Sequence, residues 1–508
     1  MLPFQSRFNN AISLIFKGLG LFVFSVLILG ACKNTAETLE PNPSGGLSFS
    51  ADTVYFDTVF TTQKTITLRL RIYNTNEKAI NIKSASVGGF QGYFPFSFYI
   101  NGRFGPNKVE NILLEGKDSA YVLVSAQLDP KNEDLPFIVK DSITFEIEGR
   151  SQRQSVILLA YGQDALYLRN KEVACDTTWT SERPIILLDT VSINRKCNLT
   201  IRKGTRVYGY NGAFLIVRGN LFVEGRVDEE VVFQGTRQEN YYSTVPGQWG
   251  GILVMDGGSA NISFAQIKNC LRGIQVGQVG DFRQRAERPA TLLLTNSRIE
   301  NILDFGVLAL NAGILAINNQ FIDCGESGFT ALQGGFYELW HNTFGLSGNN
   351  PFQRDGKFQT AFSDNFPDQA TQTLYTNPLT LKAVNNLIYG SQDEEFVFGE
   401  KRGSNPFDTL IFHNAMRSKT NAYFIQNSSR QKGNIRLGSN YKFLNPLRYN
   451  FAPDTTSDAR QLVAGAGMAI DTVKSSLLPD SASFRLFLKT DIKGKPRNIL
   501  KPTMGAYN

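Results

Sequence analysis

The chain has 508 residues, 19% charged and 42% hydrophobic, so it is globular rather than disordered and long enough for two or three domains. Its formal net charge is +7; residues 1–31 hold Arg7 and Lys17 and no acidic residue, which leaves 7 − 2 = +5 beyond them. Charge that mild and scattered excludes a nucleic-acid footprint and allows attraction to acidic polysaccharide or anionic headgroups, with one local cluster at Arg283, Arg285 and Arg288.

Arg7 and Lys17 precede or enter an apolar run, 19–29, interrupted only by Gly20 and Ser25. The run is too short to span a bilayer comfortably and has the form of an export signal. Leu29-Gly30-Ala31-Cys32 resembles the lipobox of bacterial lipoproteins. The resemblance implies cleavage before Cys32, a diacylglyceryl thioether on its sulfur and an acylated new N-terminus, which together anchor stably. The expectation is a signal peptide over 1–31, a polar tether over 32–46 and a chain lipid-anchored in the cell envelope, at the outer membrane.

From 47 to 165 the signal is alternation. Ile66, Leu68, Leu70 and Ile72 are apolar and Thr65, Thr67, Arg69 and Arg71 polar, as in a half-buried strand; Ile143, Phe145 and Ile147 repeat the pattern. Tyr121 to Val124 and Val156 to Leu159 read as continuously buried strands. Turn residues separate about seven short strands, which predicts an immunoglobulin-like β-sandwich. The stretch 68–82 resembles sandwich modules near the membrane anchor of secreted bacterial proteins, and that implies a spacer or adhesion role.

Over 166–508 short apolar pieces alternate with Gly and Asn, too closely for helical crossovers. Asn296, Asn319 and Asn342 share a register at intervals of 23, and Asn386 and Asn414 continue it after longer gaps. A repeat of that length predicts a solenoid, with these asparagines hydrogen-bonding along one corner where Asn also tolerates left-handed backbone. A second register sets Asn269-Cys270, Asn301-Ile302 and Asp323-Cys324 ahead of Gly273, Gly306 and Gly328. The segments 246–252 and 491–507, the latter including Asp491, Gly494, Pro496, Arg497 and Gly505-Ala506-Tyr507, resemble right-handed β-helix lipoproteins of Gram-negative bacteria, in which the second forms the terminal coil. The resemblance implies a right-handed parallel β-helix over 166–508 and no particular activity. Cys175 and Cys197 lie one coil apart, within disulfide reach, whereas Cys270 and Cys324 lie two coils apart and are expected as buried, inert thiols.

Chemistry is sparse. His341 and His413 each precede a ladder asparagine and read as corner residues. No Asp-Asp pair occurs, and Asp393-Glu394-Glu395 reads as a solvated loop. Asp304 and Asp323 could line one face, and Arg272, Arg283 and Arg298 are the arginines a lyase could use. The insertion 345–380 is the best candidate ligand surface, with Phe352, Arg354, Phe358, Phe362, Phe366 and Tyr375 offering ring faces and charge to a glycan. No metal, dinucleotide or phosphate-loop fingerprint is present, so no cofactor is expected. The expected protein is a monomer that binds a polysaccharide or an envelope protein without catalysis, or serves as scaffold. The alternative is a polysaccharide lyase or glycoside hydrolase acting on an acidic glycan.

Overall fold

In the computed structural model the described residues are 38–508 except 91, 281–287, 349, 402–404, 427, 440, 455–462, 471–472 and 479, together with the side chain of 240. The expected signal peptide, Cys32 and the arginines at 283 and 285 lie outside them. The chain forms two compact units. One takes in the described residues up to Asp129 and Phe137–Gly162, and the other Pro130–Pro136 and Gln163–Asn508.

The first unit is a β-sandwich of ten strands: β1 Leu47–Phe49, β2 Thr53–Phe60, β3 Leu68–Asn74, β4 Ile80–Val87, β5 Phe96–Ile100, β6 Arg103–Gly105, β7 Lys108–Leu114, β8 Ser119–Ala126, β9 Phe137–Ile147 and β10 Gln154–Gln163. They form two sheets, β1-β3-β8-β5-β6 and β2-β10-β9-β4-β7. Leu70, Ile72, Val122, Phe98, Ile82 and Phe145 meet in the core, because period-2 strands turn every second side chain inward. Two strands expected to be buried throughout are not. Tyr121 and Leu123 are 44% and 38% exposed, and Ile157 is also exposed. Alternation rules there as well; it is hidden in the sequence because the outward positions are apolar.

In the second unit, short strands stack in parallel into an eleven-stranded and a seventeen-stranded sheet, a β-helix. One inward column runs Val207, Phe233, Ile267, Ile299, Phe321, Phe344, Ile388 and Met416, each pairing with the next one coil on. All are buried, at roughly 1.5–3 kcal/mol per large side chain. Cys175 and Cys197 form a disulfide across 22 residues, with Cα atoms 4.5 Å apart. Cys270 and Cys324 are buried free thiols whose pKa burial pushes up, and Ile302 pairs with Cys324 in the coil between.

The corner uses two adjacent files with different duties. Ser297, Asn319, Asn342 and Asn386 each donate a backbone N–H to the side-chain oxygen of Asn319, Asn342, Asn386 and Asn414 respectively, and Asn414 does the same to Asn434. The asparagine amides repeat the link side chain to side chain. The residues just before them carry the left-handed turn: Asn296, Asn318, His341, Asn385 and His413 have φ of 49–58°. Asn and His are enriched in that region, which explains why the two histidines sit where they do. Asn296 therefore belongs to the turn file, and Ser297 takes the ladder position expected for it. The error is one residue. Coils are 22 residues apart from Ser297 to Asn319 but 23 from Asn319 to Asn342. The extra residue is a β-bulge: Leu310 pairs with Leu332 but Ala312 with Gly335, so Gln333 and Gly334 oppose Asn311 alone.

Stacked strands end at Ile435–Arg436. Among the described residues beyond Arg436, none adds a strand to either stack; Arg497 and Ala506 bond to the flank of coils already made. In the helix Ser481–Leu488, Asp480 caps the first turn by accepting from the Ala482 and Ser483 N–H groups. Phe484 and Leu488, one turn apart, are its buried face, and Phe484 packs edge-on against Trp340 at 5.0 Å. The segment 490–508, expected as a terminal coil, runs across the turn file instead. Gly505 donates to the Asn385 carbonyl (2.7 Å), Ala506 to Thr343 Oγ1 (2.8 Å) and Tyr507 Oη to Gln320 Oε1 at 2.5 Å.

Candidate functional site

The side chains expected to form a ligand surface over 345–380 do not converge. Phe362 is fully buried among Phe329, Tyr337, Phe396 and Phe398. Phe366 and Tyr375 sit opposite one another on a hairpin, Asn365–Asp368 with Thr373–Thr376. Phe352 and Phe358 are half-buried, and the Phe352 ring lies close to Gly325. The Arg354 guanidinium is buried, donates to the Cys324 carbonyl (2.6 Å) and lies 3.6 Å from Glu395. Phe362 thus belongs to the core of the β-helix, and the aromatic spacing in sequence cannot separate such a ring from a binding face.

The carboxylates are likewise engaged in structure. Glu395, expected in a solvated loop, is buried and accepts from the Gln359 and Gln392 N–H groups (2.9 and 2.7 Å). Burial pushes its carboxyl up to about 7 against the pull of Arg354. A raised carboxylic acid is a mark of catalysis only where substrate can reach it, and this one is sealed in. Asp393 pairs with Arg417 and Lys419, and Glu394 accepts from Ser418 Oγ and the Lys419 N–H. Asp304 stands 3.7 Å from Arg272, Arg298 pairs with Glu230, and Asp323 accepts from the Ser347 N–H (2.8 Å).

A groove that sequence reasoning missed lies across the bulge. One outward file runs along the coils as Asn220, Ser259, Thr291, Gly313, Phe336 and Thr380, each pairing with the next. Gly313 leaves a notch one residue wide between Thr291 and Phe336. A Cβ there would meet only the Thr291 methyl, at 3.6 Å. The groove encloses about 740 Å³, with Asn311, Asn377 and Pro378 also along it, Arg288 at its edge and Leu477 beside Phe336. Glu338 places Leu477 by accepting from the Ser476 N–H at 2.6 Å.

The bulge shapes the wall. Asn311 takes φ 49° and Gln333 φ 64°. Tyr337 Oη, reaching from the interior, donates to the Gly334 carbonyl (2.6 Å), which would otherwise be stranded. Gln333 holds Gly280 through both ends of its amide. Asn311 is 9% exposed, and among the described residues its Nδ2 has no hydrogen-bond partner. A buried amide donor without a partner costs roughly 1–3 kcal/mol, a cost of the tight turn at the bulge. The groove offers a half-exposed aromatic face (Phe336, 38%), hydroxyls and one cation. No Asp, Glu, His, Lys or Tyr is among the described residues lining it. The only signals in the sequence were a lone glycine in an apolar strand and the Gln-Gly-Gly at 333–335.

No family model matches the sequence, and no curated protein does. Among solved structures the chain is similar to a family 123 glycoside hydrolase from Clostridium perfringens, at 8% identity and TM-score 0.19, over 27% of this chain and 30% of that one. It is similar to a protein of unknown function from Porphyromonas gingivalis at 14% identity and TM-score 0.18, over 26% of this chain and 61% of that one. The catalytic domain of a GH87 α-1,3-glucanase in complex with nigerose is matched over 76% of this chain and 88% of its own, at 9% identity and TM-score 0.19. The chain spans less than two thirds of the length of the first two.

Proposed function

We propose that this chain is a non-catalytic binding protein of the bacterial envelope, held to the outer membrane by lipid on Cys32, whose β-helix takes an extended acidic glycan along the groove over Gly313. The observation that carries the reading is a notch at Gly313 that no side chain fills, flanked by the half-exposed Phe336 ring. The Phe336 face suits a pyranose ring, and Arg288 favours a uronate over a neutral sugar. Glycoside hydrolysis needs two carboxyl groups flanking the bond, and a lyase needs a base beside the uronate. The described lining supplies neither.

The test uses soluble protein beginning at Lys33, titrated with oligogalacturonides and with neutral glucans, while unsaturated uronates and reducing ends are followed. Binding without product is expected. Gly313→Leu should weaken uronide binding about tenfold, roughly 1.4 kcal/mol, with unchanged melting temperature, because the added side chain enters open space. Product at either readout would establish an enzyme; unaltered affinity in the Gly313 variant would remove the groove. For the anchor, Cys32→Ala should move the full-length chain from the membrane fraction to the soluble fraction, and retention of the variant in membranes would refute lipidation there.

A further inference from the structure

The outer face of the sheet β1-β3-β8-β5-β6 is not an ordinary solvated face. Its alternation sends Leu70, Ile72, Val122 and Phe98 inward, and Arg69, Arg71, Tyr121, Leu123 and Tyr99 outward. Register sets Arg69 opposite Leu123, Leu123 opposite Tyr99, and Tyr99 opposite Phe104. These four make one row across four strands, about 14 Å long at roughly 4.8 Å per strand. Tyr99 and Phe104 are 42% and 50% exposed, with ring centroids 4.8 Å apart. Tyr121 lies opposite Arg71 in the next row.

The charge on this face has one sign. None of its five strands contains an Asp or a Glu. The Arg69 guanidinium sits 5.0 Å from the centre of the Tyr121 ring, and that of Arg71 sits 5.1 Å from the same ring and 5.4 Å from the Tyr73 ring. Stacking on a ring fixes the guanidinium plane and leaves its N–H edge free for a planar anion, apart from the Arg71 Nε bond to Ser119 Oγ (3.0 Å). The row ends at Phe104, on the rim of a hollow of about 340 Å³ that Arg103, Lys108, Val109 and Glu110 also line. Lys108 neutralises Glu110, so Arg103 is left as the net charge there.

The geometry points to this face as a docking surface for an acidic polysaccharide chain, separate from the groove over Gly313. Sugar rings lie on Tyr99 and Phe104 while uronate carboxylates take the edges of Arg69 and Arg71. The choice of ligand rests on the acidic-glycan reading above; the surface itself does not. Four partly exposed large apolar side chains in one patch, framed by cations, fit an anionic partner with apolar faces better than they fit bare water.

Soluble protein beginning at Lys33 would be titrated with short oligogalacturonides at low and high salt, as parent, as Gly313→Leu, as the double variant Arg69→Gln with Arg71→Gln, and as all three combined. Two classes of site are expected. The double arginine variant should weaken one class about tenfold and reduce its salt dependence. The Gly313 variant should weaken the other. Unchanged melting temperatures would show that both variants fold. Loss in the arginine variant alone would refute the groove and leave this surface standing. An arginine variant that binds like the parent overturns the inference. So does one that keeps oligogalacturonide but loses vesicles of phosphatidylglycerol, since the occupant is then a lipid surface.

Discussion

Replacing Arg497 with methionine is expected to destabilise the β-helix unit by about 3–5 kcal/mol, the range for stripping a buried charged network of one member. Arg497 is 5% exposed and spends each kind of guanidinium nitrogen on the flank. Nη2 donates to Asn318 Oδ1 (3.1 Å) and the Gly505 carbonyl (3.0 Å), Nη1 to the Thr503 and Tyr507 carbonyls (3.2 and 3.3 Å), and Nε to the Thr490 carbonyl (3.3 Å). Burial holds the guanidinium down to about 10 against Asp491. Methionine fills much of the volume and makes none of these bonds, so several carbonyls are left buried and open. Lysine restores the charge but not the planar fork, and should recover only a minor part. Urea unfolding would show a lower midpoint at constant slope, and proteolysis should cut within 463–508 first. An unchanged midpoint would mean that the segment does not dock through this residue.

Asn386→Ala should cost about 3 kcal/mol, much more than a surface substitution. Asn386 Oδ1 accepts from both the N–H and the Nδ2 of Asn342 (2.9 and 3.0 Å). Its Nδ2 donates to the Leu339 carbonyl (2.9 Å) and Asn414 Oδ1 (2.8 Å). Alanine leaves donors of one coil and acceptors of another buried without partners. Asn386→Asp keeps the acceptor, loses the donors and sets a charge against Asn414 Oδ1, so it should be worse than alanine. Asn296→Ala is the control. That position has a φ of 49°, where an ordinary residue costs roughly 1–2 kcal/mol in backbone strain, and its Oδ1 accepts from Asn318 Nδ2 (3.2 Å), one side-chain bond against four at Asn386. Thermal or urea unfolding should rank both variants at Asn386 well below the Asn296→Ala variant; equal losses would mean that the ladder bonds carry no stability.

The solenoid was legible because an asparagine ladder demands one residue type at one place per coil, and that demand survives as a period in the sequence. The slip at Asn296 shows the limit of a fixed period. A bulge at Gln333–Gly334 adds one residue to a single coil, and the Gln-Gly-Gly there is a weak local mark in a chain where glycine punctuates most coils. The disulfide was legible because two cysteines one coil apart share a column. The aromatic insertion misled because Phe362 and Phe366 look alike as letters although one is interior and the other half-exposed. The groove was faint for the opposite reason: it is made of what is missing, a side chain at Gly313. The flank segment carried a clear motif, yet only coordinates show that it covers coils instead of extending them.

That flank has a consequence for biogenesis. Coils can be laid down one upon another as the polypeptide leaves the ribosome or the export channel, since each needs only its predecessor. The covering of their side is different in kind. Thr343 Oγ1 waits 163 residues for the Ala506 amide, and Asn318 waits 179 for Arg497. Until then Leu315, Ile317, Trp340 and Val384 present an apolar strip with nothing on it. A nascent chain is therefore sticky along one side through most of its synthesis, and any product that stops before the helix Ser481–Leu488 keeps that strip bare. Truncated molecules should be marked for chaperones and proteases by the very surface that finished molecules hide.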